Sequence, residues 1–254
     1  MTSTKRIFLG AAWLAALTCQ GAFYDFTGGV ASTNGWQPYS PLAPFGVAST
    51  ASDGPAGYRL QSAPSVMPSV LGPARVGSLL PVSMGNFALS FDVPTYSATP
   101  TEYFGAAARM GTVGLGTSSG YAFGYDNSVG GLLISKIVGE ALQGAIGPGA
   151  AAAVWLVPGQ GYRFTFEGLG ASFDGAVYSL SDLTTPLATV FGSDSSFSSG
   201  QFGLLVASQA QTGPADQTFG RFSLNAIPEP TTATLAVLGG LMAWGLSGWR
   251  RLRR

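Results

Sequence analysis

Histidine is absent from this 254-residue chain, and cysteine occurs once, at Cys19. Without imidazole there is no Ser-His-Asp triad and no histidine metal site. One cysteine excludes an intrachain disulfide and a multi-cysteine metal site. Lysine occurs only at Lys5 and Lys136, and charged residues make up 9% of the chain. Between residues 23 and 226, six basic residues face eleven acidic ones, a net charge of −5. The basic patch of a nucleic-acid binder is therefore missing. A retaining glycosidase needs two carboxylates about 5–5.5 Å apart, yet no Glu-x-Asp pair occurs in the sequence. Glu102, Glu140 and Glu167 stand alone and read as solvated face residues. The chain does not read as an enzyme.

What the chain does have is concentrated at its ends. Lys5 and Arg6 precede an apolar run from Ile7 to Leu17. That run is too short for a preferred membrane span and fits a secretory signal peptide over residues 1–22. Small residues at Gly21 and Ala22 suit cleavage there. The residues before Cys19 fit a lipoprotein signal poorly, so the mature protein is expected to carry no thiol. At the other end, residues 231–249 contain no charge, and that length crosses a hydrocarbon core of roughly 30 Å as a helix. Pro228 and Pro230 disfavour helix upstream, which places the helix at about 232–249. Trp244 and Trp249 suit an interfacial position, and Arg250, Arg251, Arg253 and Arg254 act as a cytoplasmic stop.

The order Pro228-Glu229-Pro230, apolar helix and terminal arginines resembles a PEP-CTERM sorting signal over residues 227–254. The resemblance implies processing by an exosortase near the motif, after export through the Sec translocon and trimming by signal peptidase. It implies transient residence in the inner membrane, then the cell surface or extracellular matrix. Such proteins often accompany exopolysaccharide and biofilm loci. This speaks to sorting; the work of the domain at 23–226 is a separate question.

That domain carries the period of strands. Phe87, Leu89 and Phe91 alternate with Ala88, Ser90 and Asp92. Tyr121, Phe123 and Tyr125, and then Tyr162, Phe164 and Phe166, repeat the pattern. Alternation of this kind puts one face in a core and one in solvent. Further strands are expected at Gly57–Ser62, Arg75–Leu80, Tyr103–Met110, Gly131–Val138, Ala152–Leu156, Ser172–Ser179, Phe202–Val206 and Thr218–Asn225. Gly and Pro clusters such as Gly144–Gly149 and Pro158–Gly161 separate them. Many short strands and no long amphipathic helix predict an all-β sandwich or barrel. The late segments Ser199-Gly200-Gln201-Phe202-Gly203-Leu204 and Thr218-Phe219-Gly220-Arg221-Phe222 resemble the closing strands of concanavalin A-like, laminin-G-type jelly rolls. That resemblance implies a two-sheet sandwich whose last strand lies beside the first, near Tyr24–Phe26 or Trp36.

A fold of this kind does not name its function. Asp126 and Asn127 after a strand offer oxygen ligands for calcium, although Asp and Asn also cap their own turns. No other cofactor is indicated. Trp36, Tyr39, Tyr96 and Tyr103 are candidates for sugar-stacking platforms, against the plainer reading of core packing. Trp155, within Ala-Val-Trp-Leu-Val, reads as core. Arg109, Arg163 and Arg221 read as ion-paired or exposed strand residues. Two functions follow: a non-catalytic structural or adhesive module, or a lectin-like carbohydrate-binding module, with exopolysaccharide as its partner.

Overall fold

The computed structural model describes residues 21–27, 35–41, 49–62, 75–99, 102–208 and 214–228. Residues 1–20, Glu229, Pro230, the apolar span at 232–249 and Arg250, Arg251, Arg253 and Arg254 lie outside them. The described residues form strands and turns, and no helix among them is long and apolar enough to cross a membrane.

Two antiparallel sheets face each other, with strands numbered in chain order. The six-stranded sheet runs β1 (Gly21–Asp25), β17 (Arg221–Ala226), β6 (Phe87–Val93), β12 (Tyr162–Leu169), β13 (Ser172–Ser179) and β14 (Ala188–Ser193). The eight-stranded sheet runs β10 (Ala141–Ala145), β9 (Gly131–Val138), β8 (Gly120–Asp126), β7 (Glu102–Met110), β15 (Gly200–Ser208), β5 (Arg75–Met84) and β2 (Gln37–Tyr39). Its eighth strand, β11 (Ala151–Ala153), also pairs with β9. A small third sheet joins β16 (Asp216–Phe219), β4 (Gly57–Ser62) and β3 (Ser49–Gly54). The chain closes as expected: Tyr24 of β1 is opposite Phe222 of β17. This is an all-β jelly-roll sandwich.

Aromatic residues at alternate strand positions fill the space between the two large sheets. Phe91 stacks on Phe164 with centroids 4.8 Å apart, and Phe123 on Phe166 at 4.9 Å. Phe87 meets Phe202 edge-on at 4.8 Å. Each such ring, buried from water, contributes roughly 1.5–3 kcal/mol. The register follows from this pattern, because a one-residue slip would turn every ring outward.

The structure departs from the sequence expectations in specific places. The predicted strand at Thr218–Asn225 breaks at Gly220. There β16 leaves the third sheet and β17 enters the six-stranded one. Gly220 donates its N–H to Asp92 and accepts from Phe26, which fixes the corner. The separator at Gly144–Gly149 begins inside β10. Strand β8 is buried on both faces rather than one: Ala122 and Gly124 are covered as well as Tyr121, Phe123 and Tyr125. The reason is a second apolar cluster on the outer face of the eight-stranded sheet, made of Leu79, Tyr103, Ala107, Met110, Ala122 and Ile137.

Arg109 is neither ion-paired to a carboxylate nor exposed. A bulge sets Ala108 and Arg109 against Phe202 of β15, where the register shifts, and Arg109 takes φ 50°. The bulge turns its side chain inward. It is 1% exposed and donates to the carbonyls of Gly85, Gly170 and Phe197 at 2.9, 2.7 and 3.2 Å. Its guanidinium lies over the rings of Phe173 and Phe87, 4.9 and 5.5 Å from their centroids. Arg163 and Arg221 do pair as expected, with Asp92 at 2.7 Å and Asp25 at 3.8 Å.

A candidate binding groove on the eight-stranded sheet

The outer apolar cluster forms the floor of a cleft of about 370 Å³. Leu79, Ala107, Met110, Ile137 and Leu205 line it, from the four strands β5, β7, β9 and β15. One end is polar. Tyr39 on β2, Arg75 on β5, Ser118 before β8 and Glu140 after β9 meet there.

Glu140 is the centre of this polar end. Val138 and Ala141 are opposite each other, so Gly139 and Glu140 form a two-residue hairpin. Both have positive φ, 56° and 69°, as a type I′ turn demands. Asn and Gly normally fill such positions, and a residue with a longer side chain is strained there by about 1–2 kcal/mol. Surrounding contacts hold the glutamate in place. Its Oε2 accepts from Arg75 Nη2 at 2.9 Å and from the Gly116 N–H at 3.0 Å. Its Oε1 accepts from the Tyr39 hydroxyl and from Ser118 Oγ at 3.3 Å. The carboxylate side chain is only 5% exposed. Burial pushes its pKa up, but the hydrogen bonds from Tyr39, Gly116 and Arg75 outweigh burial and hold it below the ordinary value. The Tyr39 hydroxyl moves the other way, to about 12, through burial and its bond to Glu140.

Of the predicted ligand residues, only Tyr39 reaches this groove. Trp36 does not serve as a platform. It is 6% exposed and packs edge-on against Phe222, Tyr24 and Phe26 at 5.1, 5.5 and 5.5 Å. Tyr96 and Tyr103 are likewise buried. Asp126 caps its own turn, accepting from the Ser128 N–H at 2.9 Å and hydroxyl at 2.5 Å. Asn127 Oδ1 accepts the Glu102 N–H at 2.6 Å, which ties the turn to β7. Among the described residues there is no group of three or more carboxylate, histidine or cysteine ligands for a metal.

Glu140, expected on a solvated face, has its side chain buried at this polar end, and Arg75 and Ser118 carry no sequence pattern that marks them for it. The one local signal is Gly139 at the end of the strand-like run Gly131–Val138. Glu102 is also buried rather than solvated. It is 1% exposed, accepts the Asp216 N–H at 2.7 Å, and is raised to a pKa of about 8, chiefly by burial. Glu167 is exposed as expected, but the register sets it opposite Asp174. Neither carboxylate lines this groove. A second, more polar cleft of about 550 Å³ lies by β3, β4 and β16. Its charged residues, Arg59 and Asp216, are bonded to each other.

No protein-family model matches the chain, and no curated protein matches it. Solved structures do. The carbohydrate-binding module CBM66 from Bacillus subtilis shares 18% identity at TM-score 0.51, covering 74% of this chain and 94% of the module. Lectin II from Ulex europaeus shares 11% at TM-score 0.53, covering 82% and 99%. The GH43 protein BlXynB from Bacillus licheniformis shares 12% at TM-score 0.51, covering 81% of this chain but 39% of its own length. At these identities the likeness is one of fold: the chain is built as a lectin-like β-sandwich.

Proposed function

We propose that this chain is an exported surface or matrix protein whose sandwich binds carbohydrate without catalysis, in the groove on the eight-stranded sheet. The observation that carries this reading is the union of an apolar floor with a polar end in one cleft. Sugars present C–H faces and a rim of hydroxyls, and binding pockets meet such ligands with apolar walls and a few placed polar groups. Leu79, Met110 and Leu205 supply the walls, and Tyr39, Ser118, Arg75 and Glu140 the polar groups. The lectin-like fold supports the same reading. The carboxylates support binding over hydrolysis: Glu140 is held ionised by its partners, Glu102 is buried on a backbone N–H, and Glu167 stands outside the groove.

The address signals complete the proposal. The N-terminal segment directs export through the Sec translocon. The Pro228-Glu229-Pro230 motif with its apolar span and arginines directs an exosortase to release the chain from the inner membrane. The exopolysaccharide of the same cell is then the natural ligand.

Two experiments test this. The full chain, solubilised in detergent, is titrated against the producing cell's exopolysaccharide and a panel of defined oligosaccharides, with and without EDTA. Saturable binding that weakens roughly tenfold in Tyr39→Ala and Glu140→Gln supports the groove. Loss of binding in EDTA would add calcium to it. A folded protein that binds no glycan leaves a purely structural or adhesive module. For sorting, mass spectrometry of surface protein from cells carrying an exosortase should find no peptide containing Trp244 or Trp249. The intact tail at the surface would leave a plain membrane anchor.

A further inference from the structure

Trp155 is 71% exposed, the most open of the large apolar residues among those described. This is unusual for tryptophan, which is highly buried on average. It is not a loose side chain. Its ring lies flat on the backbone of Gly130, in the turn between β8 and β9. A Cβ added at Gly130 would meet ring atoms Cδ2, Cε2 and Cε3 at 2.5, 2.5 and 2.7 Å. Near-equal distances to three fused ring carbons mean contact through the ring face. Gly130 also takes φ 61°, so a glycine there serves both the turn and the seat of the ring.

The segment that carries Trp155 is pinned on both sides. Val154 donates its N–H to Gly130 O at 2.9 Å. Leu156 donates to the Tyr125 hydroxyl at 3.3 Å and is itself buried, and Val157 donates to the Tyr162 hydroxyl at 2.7 Å. One face of the indole is thus held against backbone and the other is open. Val129, which precedes Gly130 in the turn, and Val157, two residues after Trp155, are also exposed, at 66% and 58%. The seat lies at the beginning of β9 and Glu140 just beyond its end, so the eight residues of that strand separate them by roughly 25 Å.

We propose that Trp155 is a second carbohydrate-contact point, a rigid platform that stacks the C–H face of a single pyranose ring. Trp155, Val129 and Val157 together expose far less than the roughly 800 Å² per partner of a stable protein interface. One indole face of this size matches a small, flat, apolar ligand face such as the C–H side of a pyranose. The ligand class rests on the carbohydrate reading given above; the location does not depend on the groove. With two points on one sandwich, a long polysaccharide is held at both ends of β9, and its affinity exceeds that of a short fragment.

The test uses the full chain in detergent, with cello-, xylo-, manno- and laminari-hexaose and the producing cell's exopolysaccharide as probes. Tryptophan fluorescence and calorimetry read binding. Expected is a fluorescence change with at least one probe that disappears in Trp155→Ala, survives in Trp155→Tyr as binding seen by calorimetry, and persists in Tyr39→Ala. Affinity for that probe falls about tenfold in Trp155→Ala, the size of one aromatic contact. Wild-type affinity of Trp155→Ala for every probe, with the groove variants impaired, overturns the platform and leaves the groove. An effect of Trp155→Ala alone upholds the platform and removes the groove. A Trp155→Ala variant that changes only self-association, read by analytical ultracentrifugation, also overturns the proposal.

Discussion

The Glu140 carboxylate receives Arg75 Nη2 at 2.9 Å across the end of the groove, from a backbone held at φ 69°. The pair joins the β9–β10 hairpin to β5, strands that are not neighbours in the sheet. Strain at such a position is tolerated only when surrounding contacts fix it. Here the contacts are those of the candidate site, so the strain and the site share one residue.

The pH dependence of that pair has a definite sign. The folded pKa of Glu140 is depressed below 4.5, so its contribution is complete above the unfolded pKa and is lost as pH falls through the folded one. Glu140→Gln should lower stability at pH 7 by about 1.5–3 kcal/mol, the range for hydrogen bonds to a charged group. The gap between wild type and variant should narrow as pH drops below about 4.5. Urea denaturation at pH 7 and pH 3 reads both. An equal gap at the two values would show that the carboxylate charge is not what matters.

Glu102 predicts the opposite slope. Its folded pKa, about 8, lies above the unfolded value of 4.5. Between these values the unfolded chain has released the proton and the folded one has kept it. Stability should therefore fall as pH rises from about 4.5 to about 8 and level off above. Glu102→Gln keeps an acceptor for the Asp216 N–H and cannot ionise. Its denaturation midpoint should be flatter across pH 5–9 and higher than wild type at pH 9. A wild-type slope retained in the variant would assign the effect elsewhere.

The strands were legible where rings alternate with small residues. Gly57–Ser62, Gly131–Val138 and Ser172–Ser179 match their observed limits. Trp155 is exposed although its window is apolar throughout, because strand parity decides which face a side chain takes. Ala152, Val154 and Leu156 turn inward while Ala151, Ala153, Trp155 and Val157 turn outward, so the period of two runs past the strand end. Trp36 failed for a different reason: nothing local shows that Tyr24, Phe26 and Phe222 will converge on it. The groove was hidden for the same cause. Tyr39, Arg75, Ser118 and Glu140 are far apart in sequence, and only strand order brings them together.

Arg109 should behave as a structural lock. It ties three loop carbonyls together at one end of the sandwich while lying against two phenylalanine rings. Arg109→Met removes the donors and leaves the carbonyls of Gly85, Gly170 and Phe197 without them. A cost of about 3 kcal/mol or more is expected, since each hydrogen bond to a charged group contributes about 1.5–3 kcal/mol. Arg109→Lys should recover little, because an ammonium cannot reproduce the planar fork. Urea denaturation measures both, and a lysine variant as stable as wild type would refute the fork geometry.

Glu167 and Asp174 place like charges directly across the β12–β13 ladder, both exposed. Opposed residues on one face have Cβ atoms about 4.5–5.5 Å apart, and like charges there repel. Replacing Asp174 by lysine converts repulsion to attraction on a solvated face. The expected gain is about 0.5–1 kcal/mol at low salt, shrinking toward zero near 1 M salt, where the Debye length is only about 3 Å. Thermal melting of wild type, Asp174→Asn and Asp174→Lys at two salt concentrations separates the parts. The asparagine variant removes the repulsion alone, so it should fall between the other two. If Asp174→Lys is stabilised equally at both salt concentrations, the gain comes from strand propensity or packing, and the charge pair plays no part in the stability of this sheet.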